Sequence, residues 1–232
     1  MPAADEVYAD YFFDPVIDQD TVIKAFSDSV NDGELAGFDL MIGTNANESR
    51  MYLHEDASVN SWFAARGAEF EAKTAQLLVD TLDLQNHMDE RARLDTLATA
   101  YDYTCPSISL ARANARGGGR SWFYNFTKVR DGELAAKMGA YHGAELPYVF
   151  NTHDAWLPTS RQDLALSQRI MRYWVNFAAT GDPNKNQNSV VSRPLRWKEF
   201  ATANEPVQFL GQQIKSASHP ATQLCKIMAK HK

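Results

Sequence analysis

Apolar positions along the chain repeat with two different periods. Phe38 to Ile42 (FDLMI) is an apolar run of strand length that reaches Gly43, which predicts a buried strand stopping at a turn. SWFYNF, Ser121 to Phe126, follows the breaker Gly117-Gly118-Gly119 and predicts a second strand from its aromatic content. Pro206 to Leu210 reads as a short third strand. Helical spacing fills the stretches between. Trp62 to Leu82 repeats Phe63, Phe70, Leu77 and Leu78, and Met88 to Tyr101 repeats the pattern after an Asp/Asn-rich break. Pro106 opens a further helix near Ser107 to Ala115. Arg161 to Thr180 carries Leu164, Leu166, Ile170, Trp174 and Phe177 on one face, with Tyr173, Trp174 and Phe177 expected in the core, and it stops at Gly181 with Pro183 beyond. A last helix is expected over Thr222 to Lys230.

The order of these elements predicts an α/β fold, with few central strands surrounded by many helices. A three-stranded sheet of this kind leaves at least one long apolar edge, and such edges are normally paired or covered, so the pattern reads as part of a larger, incomplete sheet. No internal repeat, low-complexity segment or linker divides residues 1–232, which are read as one unit.

With 44% apolar and 11% aromatic residues, the chain can bury a substantial core, which excludes disordered and fibrous classes. A formal net charge of -6, with scattered Lys and Arg, argues against a nucleic-acid partner. No apolar run approaches the ~20 residues needed to cross a bilayer, so no membrane span is expected. The first residues, MPAADEVYADYFFD, are acidic and lack a basic-then-apolar leader. Cys105 and Cys225 read equally as a long-range disulfide or as two free thiols. The sequons at Asn47 and Asn125 occur near the chance rate and carry no argument.

Chemistry concentrates after the strands. GTNANESRMYL follows the first strand as loop and then helix, and it puts Glu48 just past the carboxyl end, where open α/β sheets carry functional loops. AYHGAELPYVF puts His142 in a Gly-flanked loop past the second strand, followed by a short helix that Glu145 is expected to cap. An acid and a histidine on successive strand-end loops can meet, the carboxylate fixing the imidazole tautomer while the ring shuttles a proton. His153 and Asp154 are candidates for a pocket rim or, more simply, for loop hydrogen bonds. Phosphate loops, paired-cysteine metal spacings and an H-E-x-x-H helix are all missing, so no cofactor or metal is implied. A G-x-S-x-G nucleophile elbow is also missing, and GGGRS sets its serine outside that pattern.

These motifs together resemble the C-terminal part of type-B carboxylesterases and cholinesterases, members of the α/β-hydrolase fold. GTNANESRMYL resembles the segment carrying the triad acid, which assigns that role to Glu48, and YHGAELPYVF resembles the catalytic-histidine segment, which assigns the base to His142. RYWVNFAATGDPN resembles a structural signature of the family, while DYTCPS, LRW and FFDPVID match more loosely. The matches run in family order from about residue 12 to the end, and acid before histidine is the order the hydrolase triad requires after its serine. Asn47 stands where an aspartate is common, and Ser49 where a glycine is common.

The resemblance implies an ester hydrolase acting on a small carboxylic ester, with an apolar pocket lined by the helices between Glu48 and His142. This chain would supply the acid and the histidine, and the elbow, the oxyanion loop and the first strands would come from an N-terminal half that it lacks. The alternatives are a non-catalytic cholinesterase-like interaction module and an inactive truncated product. The positions of Cys105 and Cys225 resemble a disulfide of cholinesterase-like members, which would favour an oxidising, extracellular or secretory compartment.

Overall fold

The structure, a computed structural model, describes residues 16–32, 34, 37–84, 89–153, 158–185, 195–201 and 203–230. Most of FFDPVID, Met88, Asp154 and residues 186–194 lie outside them.

Four strands form one sheet: β1 (Asp39–Asn45), β2 (Arg120–Phe126), β3 (Val207–Leu210) and β4 (Lys215–Ala217), in the spatial order β1-β2-β3-β4. β1, β2 and β3 are mutually parallel, and β4 returns antiparallel on β3. Alternation along the strands divides the core in two. Ile42, Phe123, Val207 and Phe209 serve one face, while Met41, Trp122, Phe126 and Leu210 serve the other. Helices cover both faces, as parallel sheets require. The far edge of β1 has no strand beside it among the described residues, in keeping with the incomplete sheet expected from the sequence.

In chain order the helices are α1 (Phe26–Asn31), α2 (Val59–Arg66), α3 (Ala72–Asp83), α4 (Glu90–Thr99), α5 (Cys105–Arg116), α6 (Glu133–Met138), α7 (Leu146–Phe150), α8 (Arg161–Thr180) and α9 (Thr222–Ala229). Helices α2 to α5 and α9 pack against the first face, and α7 and α8 against the second. A capping box at Ser160 and Asp163 opens α8, and Gly181 in the left-handed region closes it. Asp163 is fully buried, where it also accepts from the Tyr148 hydroxyl at 2.6 Å and faces Lys128 at 3.2 Å. No helix among the described residues is long and apolar enough to cross a membrane.

Four expectations change. First, Gly43 does not end the first strand, which runs on to Asn45 because the backbone stays extended and paired with β2. Second, the helix expected over Trp62 to Leu82 is two helices, α2 and α3, separated at Gly67 (φ 55°) and an extended Phe70. Third, the helices on either side of Pro106 are one continuous rod. A π turn, Ala100–Thr104, joins α4 to α5 without a break, and Pro106 falls in the first turn of α5, where its missing N–H costs least. Finally, β4 is an addition to the expected strands, because Lys-Ser-Ala is short and polar and carries no apolar period, as suits an edge strand.

Candidate functional site

The parallel β1-β2 pair sends both chain exits to the same end of the sheet, so the loops after them meet. Thr44, Asn45 and Glu48 close a tight loop on β1, in which Asn45 N–H donates to Glu48 Oε1 at 2.6 Å. The second loop is drawn alongside by a short parallel bridge between Asn47 and Tyr141. Across this junction His142 Nδ1 lies 2.7 Å from Glu48 Oε2. The two residues are 94 positions apart in sequence.

Their environments differ. Glu48 is buried, whereas the His142 side chain is 47% exposed. Burial pushes the Glu48 carboxyl above its usual range, outweighing the hydrogen bonds from Asn45 and His142, and the nearby Glu145 charge pushes the same way. A carboxylate in that position accepts from Nδ1–H and so fixes the tautomer, which leaves the exposed Nε2 edge to accept a proton. Among the described residues Nε2 has no hydrogen-bond partner. The imidazole is bracketed by the rings of Tyr103 (centroids 5.4 Å apart) and Tyr52 (6.0 Å). The Tyr103 hydroxyl is itself pushed up by burial and then by Glu48.

Glu145 occupies the N-cap position of α7, as expected, but its side chain does not cap the helix. It makes no capping hydrogen bond, and its Oε2 accepts from the side-chain amide of Asn45, whose Nδ2 also donates to Tyr141 O at 2.8 Å. His153 packs edge-on against Tyr148, with centroids 5.5 Å apart, and Asp154 lies outside the described residues. Four aromatic residues between Glu48 and His142 form a cluster. Trp62, Phe63, Phe70 and Tyr101 pack on one another at centroid distances of 5.1 to 5.8 Å, with the Arg66 guanidinium 3.7 Å from the Trp62 ring centre. Mutual ring packing satisfies them as core.

Cys105 and Cys225 are joined by a disulfide that ties the start of α5 to α9. Neither sequon presents a free amide. Asn125 is buried within β2, and the Asn47 side chain is engaged on both of its ends. Among the described residues, no group of three His, Cys, Asp or Glu side chains converges as a metal site.

Sequence reasoning missed Asn47 and Asp95. Asn47 donates through Nδ2 to Asp95 Oδ2 at 2.7 Å and accepts at Oδ1 from Ala140 N–H at 2.9 Å. Asp95 was detectable, because it is an acid among the apolar residues Leu94, Leu97 and Ala98 of α4.

The sequence profile of the carboxylesterase family matches residues 4–228. This chain belongs to the carboxylesterase family. Acetylcholinesterase of Gallus gallus is 34% identical over 154 residues, which cover 63% of this chain and 19% of that protein. Neuroligin-3 of Mus musculus is 29% identical over 202 residues, covering 75% and 24%. Among solved structures, a PNB esterase superposes with a TM-score of 0.73 at 22% identity, over 94% of this chain and 43% of the esterase. That likeness shows the α/β-hydrolase fold. The carboxylesterase-family chain described here therefore spans under half of the esterase structure and about a quarter or less of these two relatives.

Proposed function

We propose that this chain supplies the acid and the histidine of a serine carboxylic ester hydrolase. The observation that carries the reading is the 2.7 Å contact between His142 Nδ1 and buried Glu48, with Nε2 left open. In this reading a serine on a segment outside the chain attacks the ester carbonyl, and His142 Nε2 takes the serine proton. Glu48 holds the ring and stabilises the imidazolium. Nε2 then returns the proton to the leaving alcohol, and in the second half-reaction it activates water against the acyl-enzyme. Donors for the oxyanion also come from outside the chain. The open edge of β1 is where the remaining strands would pair. No metal or organic cofactor enters these steps. The Cys105–Cys225 disulfide and the acetylcholinesterase and neuroligin relatives support an oxidising compartment.

A second reading, a cholinesterase-like module that uses the fold for protein recognition, draws support from the neuroligin match, which covers more of this chain than acetylcholinesterase does. The retained Glu48–His142 pair favours the esterase, since recognition alone has no need of a carboxylate-held imidazole.

The test uses p-nitrophenyl butyrate. The chain alone should turn it over no faster than its His142→Ala variant, because it holds no elbow. Combined with a polypeptide carrying the G-x-S-x-G half of the domain, it should gain hydrolysis that disappears with His142→Ala. A stable complex with no His142-dependent turnover would reject the esterase and leave the recognition module. His142-dependent turnover by the chain alone would reject the need for an outside nucleophile.

A further inference from the structure

Both sequence neighbours of Glu48 are tied to one turn of α4. On one side, Asn47 Nδ2 donates to Asp95 Oδ2 at 2.7 Å. On the other, Ser49 N–H donates at 3.1 Å to Thr99 Oγ1, which itself donates to Asp95 Oδ1 at 3.1 Å. The same Asn47 reaches the histidine loop twice: its backbone N–H donates to Ala140 O at 3.0 Å, and its Oδ1 accepts from Ala140 N–H at 2.9 Å. Ala140 is two residues before His142. The approach is possible because Gly139 (φ 70°) has no side chain, and a Cβ there would lie 2.4 Å from Asn47 Oδ1.

We propose that Asn47 is a positioning residue whose carboxamide, anchored on the buried carboxylate of Asp95, sets the separation between Glu48 and His142. This rests on the reading of those two residues as a working pair. The chemistry singles out an amide. Position 47 must accept from a backbone N–H at one end and donate to a carboxylate at the other, and among side chains of this length only asparagine does both. An aspartate there would face Asp95 with a second carboxylate, and two such groups at hydrogen-bond distance share a proton or repel. Asp95 is 1% exposed, and burial holds its carboxyl above the usual range. The hydrogen bonds of Asn47 and Thr99 and the charge of Arg50 act in the opposite direction. Asp95 therefore has little capacity to accommodate another negative charge.

The same logic predicts a rescue. Exchanging the two residues, Asn47→Asp with Asp95→Asn, keeps the donors and acceptors matched. The carboxylate introduced by Asn47→Asp would accept from Ala140 N–H and from the amide introduced by Asp95→Asn, whose oxygen would still accept from Thr99.

The experiment reads His142 directly by 15N and 1H NMR of the full 232-residue chain at pH 7, following the Nδ1–H proton held by Glu48; Glu48→Gln identifies that resonance by removing it. Asn47→Asp should shorten the lifetime of this proton against exchange by about tenfold or more, the scale of one lost charged hydrogen bond. The double exchange should bring it back to within about threefold of the starting chain. An unchanged resonance in Asn47→Asp overturns the proposal, as does a folded double variant that fails to recover it. If Asn47→Asp does not fold, recovery of both folding and resonance in the double variant supports the proposal, and an unfolded double variant overturns it. Turnover is not part of this readout. A positioning effect without esterase activity would count against the proposed function alone.

Discussion

The ring of Tyr124 on β2 lies across Gly43 on β1, filling the space where any other residue would carry a side chain. A Cβ at Gly43 would come within 2.3 Å of Tyr124 Cγ, and the two residues are register partners in the parallel pair. Tyr124 is held in turn against Trp174, with centroids 5.2 Å apart. Gly43→Ala should therefore destabilise the chain by about 1–3 kcal/mol, the usual cost of overpacking a closed core. Adding Tyr124→Ala should make the pair of substitutions less costly than the sum of the two. Urea unfolding of the three variants checks this, and a Gly43→Ala midpoint equal to the parent's would contradict it.

His219 ties β2 to the start of α9. Its Nδ1 accepts from Ala221 N–H at 3.1 Å, so the neutral ring carries its proton on Nε2. Nε2 lies 2.9 Å from the side-chain amide of Asn125, whose oxygen is the end suited to receive that proton. Burial lowers the ring to about 4, from an ordinary 6.5. A folded-state value below the unfolded one means that the neutral ring's contribution is complete above pH 6.5. It is lost as the pH falls through the window from 6.5 to 4. The loss should reach about 3 kcal/mol. Stability measured by urea titration at pH 7.5 and 4.5 should fall more steeply for the parent than for His219→Gln, and parallel slopes would count against the assignment.

The Cys105–Cys225 disulfide closes a loop with a sequence separation of 120. Constraining so long a loop in the unfolded chain stabilises the fold by about 4–5 kcal/mol on loop-entropy grounds. Reductant, or Cys105→Ala with Cys225→Ala, should lower the unfolding midpoint markedly. Equal midpoints with and without reductant would mean that the bond does not form in solution.

Much of the architecture was legible because it rests on local signals. The aromatic run of β2, the apolar run of β1 and the capped, periodic pattern of α8 each carry a period that only one element satisfies. Glu48 and His142 were legible as strand-end loop residues that could meet in space. What escaped notice depended on partners distant in the chain. Gly43 reads locally as a strand end, yet the Tyr124 ring from β2 is what makes glycine necessary in mid-strand. Pro106 does sit in the first turn of α5, yet the π turn Ala100–Thr104 joins that helix to α4 without a break. Glu145 reads as a cap, yet the Asn45 amide captures it from another loop. The spacing of Trp62, Phe63, Phe70 and Tyr101 in the chain does not show that these rings pack on one another, which is a matter of three-dimensional packing.

The sequence by itself determined the α/β character of this chain, the two strand-end loops that hold Glu48 and His142, and the absence of a G-x-S-x-G elbow among its 232 residues. Those properties are written in short windows, where spacing and residue type suffice. Only the tertiary structure decided that Glu48 and His142 meet at 2.7 Å, and that Asn47 and Asp95 stand behind them. Parallel strands send distant loops to the same end of a sheet. Which side chains then touch is set by register, burial and the matching of donors to acceptors, none of which has a local period to read.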